Sequence, residues 1–373
     1  MTLNMMASFG EVMGYIGYVL IAVLVLLVMI TVHEFGHYIT GKIFKFDIKE
    51  FAIGFGPKLF SKKKKNGEIF SLRLLPLGGF CAFSGEDEES QSPNAFNNKK
   101  PWQRIIVLIS GALMNYIFAL LIIAVTFFSF GQPGLVTYDV DDSPVVSQEY
   151  CFNDKDVIIS ANGNSVYMIT DLMKAVQNRQ VGDRLPFVVR RGGVDTLVMI
   201  ELRADTNFIN IEDYEKLYTA LGIHYELDQM GNMTKGGLYS TSIKTGFFQT
   251  IGNSFDYSFK LAGSIFTVIG QLFTGALGLK SMGGTITTIS MTANAIKVGG
   301  LRYLLNITSL IGVNLAVFNL LPIPALDGSR VLFTGIEWIR KKPLNRRVEA
   351  IIHGVGLLLL FAFAILVDLQ QCF

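Results

Sequence analysis

His33, Glu34 and His37 stand in the run His-Glu-Phe-Gly-His, a match to H-E-x-x-H. On a helix the two imidazoles fall at i and i+4, one above the other on a single face, which suits two ligands on one Zn²⁺. Glu34 lies about 100° around the helix, within reach of a water beside the ion, and is the candidate general base. The chain holds four histidines, and two of them are here. A third ligand is offered by Asp327, in the run Asn319-Leu-Leu-Pro-Ile-Pro-Ala-Leu-Asp327-Gly328. Two prolines and a glycine break the helix there. Irregular backbone at membrane depth is tolerated only where it is buried in protein or lines a wet cavity, and an Asp in such a place is costly unless paired or metal-bound. Two histidines and a carboxylate leave one open position on zinc, the arrangement of a hydrolase. The plainer readings are a chance match at a helix end and an Asp that merely ends a helix. Their joint occurrence in two apolar segments is much rarer than either alone.

These residues need membrane helices to position them. Half of the 373 residues are hydrophobic and 17% are charged, a balance that points to a multipass membrane protein. Residues 15–32, just before the histidines, carry no charge. A hydrocarbon core of about 30 Å needs roughly 20 apolar residues, and four segments qualify: 13–44, 104–130, 301–330 with its Asp-Gly turn, and 345–368. A fifth stretch, 265–279, is short and interrupted by glycine, and reads as interfacial or packed against the spans. No Lys or Arg precedes Lys42, so the first segment lacks the basic start of a signal peptide and reads as a retained anchor. Lys and Arg crowd residues 42–104 and 330–347, which places both on the cytoplasmic side, while the acid-rich 131–240 faces outward with both termini. The His-Glu-Phe-Gly-His run then sits one to two turns from the cytoplasmic border.

Residues 46–84 read as a β-hairpin, with strand-like runs at 48–60 and 68–80 around Asn66-Gly67, a strong hairpin turn signal. Lys62 to Lys65 read as a solvated tip or a lipid headgroup contact, and Glu86 to Glu89 as a solvated loop. Residues 132–205 read as a small α/β module: strand-like runs at 156–163 and 185–190, turns at Asn162-Gly163 and Gly192-Gly193, and a helix near 171–177. Residues 206–300 read as an outer linker followed by amphipathic helices. The near-neutral net charge of +2 argues against nucleic acid as a partner. Cys81, Cys151 and Cys372 are too far apart for a zinc pattern or a disulfide framework. His224 reads as solvated, His353 as an interfacial or packing residue, and Trp102 and Trp338 as interface anchors.

With these residues in hand, the sequence resembles the site-2 protease family of intramembrane zinc metalloproteases, in its bacterial RseP form. The resemblance runs over nearly the whole chain. It is carried by His33 to His37, residues 50–57 (EFAIGFGP), residues 73–79 (RLLPLGG), Gly111 to Asn115, and residues 319–328. It implies an α-helical polytopic membrane protein of about four transmembrane helices, with a membrane-associated β-hairpin and one extracytoplasmic PDZ-like domain at 132–205. It implies Zn²⁺ on His33, His37 and Asp327, with Glu34 as base, and substrate contacts from Asn319, Asn314 and Asn115. The implied substrates are single-span membrane proteins of the anti-sigma factor or remnant signal peptide type, cut within a bacterial cytoplasmic membrane. The PDZ-like module would bind a peptide or C-terminus, or act as a size filter. Three departures concern local backbone: Gly111-Ala-Leu-Met-Asn115 in place of Gly-Pro-x-x-Asn, Ser329 in place of a second Gly after Asp327, and Met282-Gly-Gly-Thr285 in place of a Gly-Gly-Pro segment. Lys155 also stands where the family often has Gly. Two rival functions are a metal transporter using the same ligands in transit and a catalytically silent scaffold presenting the PDZ-like module. The first would need further ligands across the membrane, and the second the loss of Glu34 or of a ligand.

Overall fold

The computed structural model of the chain describes residues 9–86, 90–138, 151–208, 213–227, 233–275 and 284–372. Ser143-Pro144, residues 87–89 of the acidic loop, and Met282-Gly283 lie outside them. Among the described residues four helices are long and apolar enough to cross a bilayer: Met13–Ile43, Pro101–Phe130, Ile286–Leu320 and Arg346–Gln370. The chain is therefore a polytopic membrane protein with β-sheets. Its contacts divide it into two compact units, one of Met1–Val125, Ser258–Leu272 and Gly278–Phe373, the other of Thr126–Tyr257 and Phe273–Leu277.

In the first unit α1 (Phe9–Ile43) leads. Its stretch 13–32 is apolar on every face, with Leu20 and Leu24 exposed, as lipid contact requires. It ends where Lys45 turns left-handed at φ 57° and the Phe46 N–H closes on the Gly41 carbonyl at 2.8 Å. Next come β1 (Ile48–Lys63) and β2 (Ile69–Phe83), an antiparallel pair. Their turn is the expected one: Gly67 has φ 90°, and the Glu68 N–H donates to Asn66 Oδ1 at 3.3 Å. Both strands bend, so residues 50–53 of β1 pair with 79–82 on one side and 69–72 on the other. The segment Gly79–Phe83 is left as an edge, without a second strand partner among the described residues. An aromatic cluster of Phe46, Phe51, Phe83 and Phe96 with Val107 and Leu108 anchors the hairpin, each buried ring adding about 1.5–3 kcal/mol.

Helix α2 (Pro101–Phe130) begins on a proline, whose missing N–H is no loss at a helix start. In the first unit the last three helices are α6 (Thr285–Leu320), α7 (Asp327–Arg340) and α8 (Arg346–Cys372). Gly300 breaks α6 at φ 57°, ψ −143°, so residues 301–320 are the helical part of the expected 301–330 segment, whose last residues form a loop and the start of α7, with residues 285–299 a separate helical stretch before it. Asp368 of α8 caps that stretch, accepting the Ile286 and Thr287 N–H groups at 3.2 Å each.

Helix α7 fills most of the basic segment between the last two spans, to which the sequence assigned a side of the membrane but no secondary structure. Its Glu337 is buried and forms a 2.7 Å ion pair with Arg104, itself 4% exposed, while Arg346 Nη2 and the Leu344 N–H lie 2.9 Å from its other oxygen. Burial alone would raise the Glu337 carboxyl, but the Leu344 N–H and Arg104 hold it below its ordinary value. The folded state therefore gains stability above the ordinary carboxylate range and loses it as the pH falls through the lowered value. Glu337→Gln leaves Arg104 buried without its counter-charge and is expected to cost about 3–5 kcal/mol, read as a lower thermal midpoint in detergent and a weaker dependence on acid.

The second unit is a mixed module around one sheet. Its elements are β3 (Gln132–Tyr138), β4 (Val157–Ala161), β5 (Asn164–Ser165), α3 (Ile169–Val176), β6 (Arg184–Arg191), β7 (Val194–Glu201), α4 (Tyr214–Leu221), β8 (Tyr225–Leu227) and β9 (Met233–Ile243). The strand order is β7-β6-β4-β3-β9-β8, with β5 on β4. Phe152, Ile158, Leu172, Phe187, Ile200, Leu217 and Leu221 fill its core. The expected strands, turns and helix between 156 and 202 are all present. Lys155 adopts φ 64°, the left-handed geometry a glycine would take. The expected boundary at 205 is corrected: α4, β8 and β9 belong to the module rather than to a linker. Read alone, Met233–Ile243 is a weak strand, with two glycines at positive φ. Pairing with β3, a hundred residues earlier, makes it one. Helix α5 (Phe247–Thr274) is one long helix and is not among the four apolar enough to span. His224 is exposed.

Candidate metal centre

The helical period of α1 brings His33 and His37 to one face, their rings edge to face with centroids 4.7 Å apart. The Nε2 atoms lie 3.1 Å from each other. Asp327 Oδ2 is 2.9 Å from His33 Nε2 and 3.3 Å from His37 Nε2. Among the described residues this is the one group of three His, Cys, Asp or Glu side chains placed to hold an ion. A tetrahedral zinc with bonds of about 2.0–2.1 Å separates its ligands by about 3.3 Å, close to the spacing of these three atoms. Asp327 Oδ2 is buried and faces the two imidazole Nε2 atoms, as the third donor to a shared ion would. The donor set therefore fits zinc.

Neighbouring elements hold the donors in place. His37 Nδ1 lies 2.8 Å from the Val107 carbonyl of α2. That contact puts the proton on Nδ1 and leaves the Nε2 lone pair for a metal. Glycines let α1 and α2 approach. A Cβ on Gly111 would stand 2.4 Å from His37 Nε2 and 2.8 Å from His33 Cε1, and one on Gly36 would stand 2.3 Å from the Ser110 carbonyl oxygen. Asp327 is the first residue of α7, just past the break that the two prolines impose. Gly328 lets α7 start against the end of α6, since a Cβ there would lie 2.3 Å from the Leu321 oxygen. Ser329, in place of a second glycine, is buried and donates its hydroxyl to the Leu326 carbonyl at 2.7 Å. That bond ties the turn that carries the aspartate.

Glu34 is half-buried on the next face of α1. Its Cγ lies 3.5 Å from where a Cβ of Gly79 would stand, at the start of the Gly79–Phe83 edge. The base candidate and an unpaired strand edge are thus neighbours. Of the three asparagines, Asn319 is half-buried in the last turn of α6. Asn314 is further up the same helix, with Oδ1 buried and unpaired. Asn115 is 0% exposed in α2, with neither amide atom hydrogen-bonded. Sequence reasoning missed the Val107 carbonyl, which no side-chain pattern can reveal, and the spacing roles of Gly36 and Gly111, although both glycines lie inside the motifs quoted above.

The profile of peptidase family M50 matches residues 21–363. A Clostridium perfringens protein whose name offers it as a candidate zinc metalloprotease is 33% identical over 356 residues, covering 95% of this chain and 98% of its own. A Fusobacterium nucleatum protein named in the same way is 27% identical over 354 residues, covering 94% of this chain and 97% of its own. The zinc metalloprotease RasP of Bacillus licheniformis is 27% identical over 435 residues, covering 91% of this chain and 96% of its own.

Proposed function

This chain belongs to peptidase family M50 and is a zinc metalloprotease, and we propose that it hydrolyses peptide bonds within the transmembrane segments of single-span membrane proteins. The observation that carries this reading is the convergence of two imidazoles and a carboxylate, the imidazoles on a helix apolar enough to cross a bilayer. Zinc, held by His33, His37 and Asp327, would supply a Lewis acid that polarises a carbonyl and makes water a competent nucleophile near neutral pH. Glu34 takes the proton of the attacking water and delivers it to the leaving amine. A helical substrate hides its peptide bonds, so it must unwind first. The Gly79–Phe83 edge beside Glu34 offers backbone groups to the unwound strand. Asn319 and Asn314 orient the substrate, and Asn115 is assigned to the same group by resemblance.

In this reading the basic segments 42–104 and 330–347 face the cytoplasm of a bacterium, and the module of residues 132–243 lies outside as a PDZ-like domain that binds a peptide end or filters substrates by size. The substrates are of the anti-sigma factor or remnant signal peptide type.

The test is to co-reconstitute the protein in liposomes with a panel of single-span substrates and to locate the cut by fragment mass. Cuts inside the apolar run support the proposal; cuts confined to the flanking polar segments overturn it. In the same assay Asn319→Ala is expected to lower kcat/KM by up to about tenfold, the worth of one neutral hydrogen bond, with the zinc content unchanged. Loss of zinc in that variant would mean that Asn319 supports the metal centre instead.

A further inference from the structure

Asp327 is delivered by a loop rather than by a regular helix, and something must hold that loop. Residues 321–326 run from the end of α6 to the start of α7. Ala325, two residues before the ligand, sits at φ 79°, a left-handed conformation that a Cβ disfavours. Its N–H points away from the loop and donates to His353 Nδ1 of α8 at 3.1 Å. Three residues on, Gly356 lets α8 press against Pro324, where a Cβ would stand 2.3 Å from Pro324 Cβ. The His353 ring is also fixed edge-on to Phe333 of α7, with centroids 5.6 Å apart, and Ser329 Oγ lies 3.5 Å from the same Nδ1. One face of α8 therefore grips both sides of the turn that presents the third ligand. A histidine is suited to this because Nδ1 of the neutral ring is an acceptor, and an apolar residue would take away the Ala325 N–H's partner on α8.

We propose that His353 is a positioning residue for the metal centre: it accepts the Ala325 N–H, holds the 321–326 loop in its left-handed turn, and so sets the place of Asp327. It touches neither metal nor substrate. The proposal rests on the reading of His33, His37 and Asp327 as the zinc ligands.

The test uses the position of the acceptor atom. Asn places its amide oxygen about where His Nδ1 stands, whereas Gln reaches further, toward Nε2. Zinc affinity of the full-length protein in detergent is measured by competition with a chelator for wild type, His353→Asn, His353→Gln and His353→Phe, each checked for folding by its thermal midpoint. Asn is expected to keep affinity within about threefold, and Gln and Phe to lose about 10–100-fold, the usual effect of removing support from a ligand. Equal losses in Asn and Gln, or none in Gln and Phe, overturn the proposal. Should the Gln and Phe variants fail to fold, Ala325→Gly decides. Gly relieves the left-handed turn, so the double variant Ala325→Gly with His353→Gln is expected to regain zinc affinity over His353→Gln alone or to fold where that variant does not. No gain overturns the role. Wild type that binds no zinc overturns the ligand reading itself, which separates the two failures.

Discussion

Glu34→Gln is expected to abolish cleavage while leaving zinc bound. Gln has the size and shape of Glu but accepts no proton at neutral pH. Glu34 is not among the three converging donors, so the metal set is untouched. The substitution removes proton transfer to and from the reacting groups, a contribution of about 10²–10⁴-fold in rate. Fold and metal content should stay close to wild type, since Gln keeps the volume of a side chain that is only half-buried. The check is a pair of numbers from one preparation: turnover of a single-span substrate in liposomes and zinc per chain. Cleavage at the wild-type rate would remove Glu34 from the mechanism. Loss of zinc together with activity would show that it supports the metal centre rather than the chemistry.

Gly111→Ala is expected to have the opposite signature, with zinc itself lost. The added methyl would stand 2.4 Å from His37 Nε2 and 2.8 Å from His33 Cε1. The nearer ring cannot yield freely. His37 is tethered to the Val107 carbonyl at 2.8 Å, and α1 cannot back away without parting Gly36 from Ser110. The rings must turn or the two helices must separate, and either displaces ligands that need to be held within a few tenths of an ångström. Zinc affinity should fall by about 10–100-fold or more, with activity falling alongside. Gly335→Ala is the control, because a Cβ there meets nothing within 4 Å in helix α7. It should leave zinc binding unchanged and add slightly to stability. Chelator competition on the three proteins reads the contrast directly. A Gly111→Ala protein that binds zinc as wild type does would mean that α1 and α2 pack more loosely than this geometry implies.

Much of the site is legible in the sequence. His33 and His37 announce themselves because the i, i+4 relation is local and needs only that the segment be helical. Asp327 stands out because its prolines and glycine break an apolar run, again a local property. The Asn66-Gly67 hairpin and the turns at Asn162-Gly163 and Gly192-Gly193 follow from left-handed backbone that few residues accept. The apolar runs marked the four long helices by length and composition, and the family resemblance carried by the same motifs is borne out over residues 21–363.

Other features escaped because they depend on partners far along the chain. Nothing in the basic segment 330–347 signals that helix α7 is anchored, since the Arg104 partner of Glu337 lies 233 residues away. Strand β9 reads as linker because Gly236-Gly237 interrupts it, and pairing with β3 makes the strand continuous. From the sequence His353 reads as an interfacial or packing residue, and its bond to the Ala325 N–H exists only once α8 lies against the loop.

The division has a physical basis. The sequence alone determined which residues could ligate zinc, which segments are apolar enough to cross a membrane, and where the backbone must turn, because periodicity, transfer energy and steric limits on φ act within a few residues. Only the tertiary structure decided that His33, His37 and Asp327 meet, that Gly111 leaves room for both rings, and that the Gly79–Phe83 edge runs beside Glu34. Those facts depend on how closely helices and strands distant in the chain can pack, and side-chain volume and buried hydrogen bonds settle that only when the chain is folded.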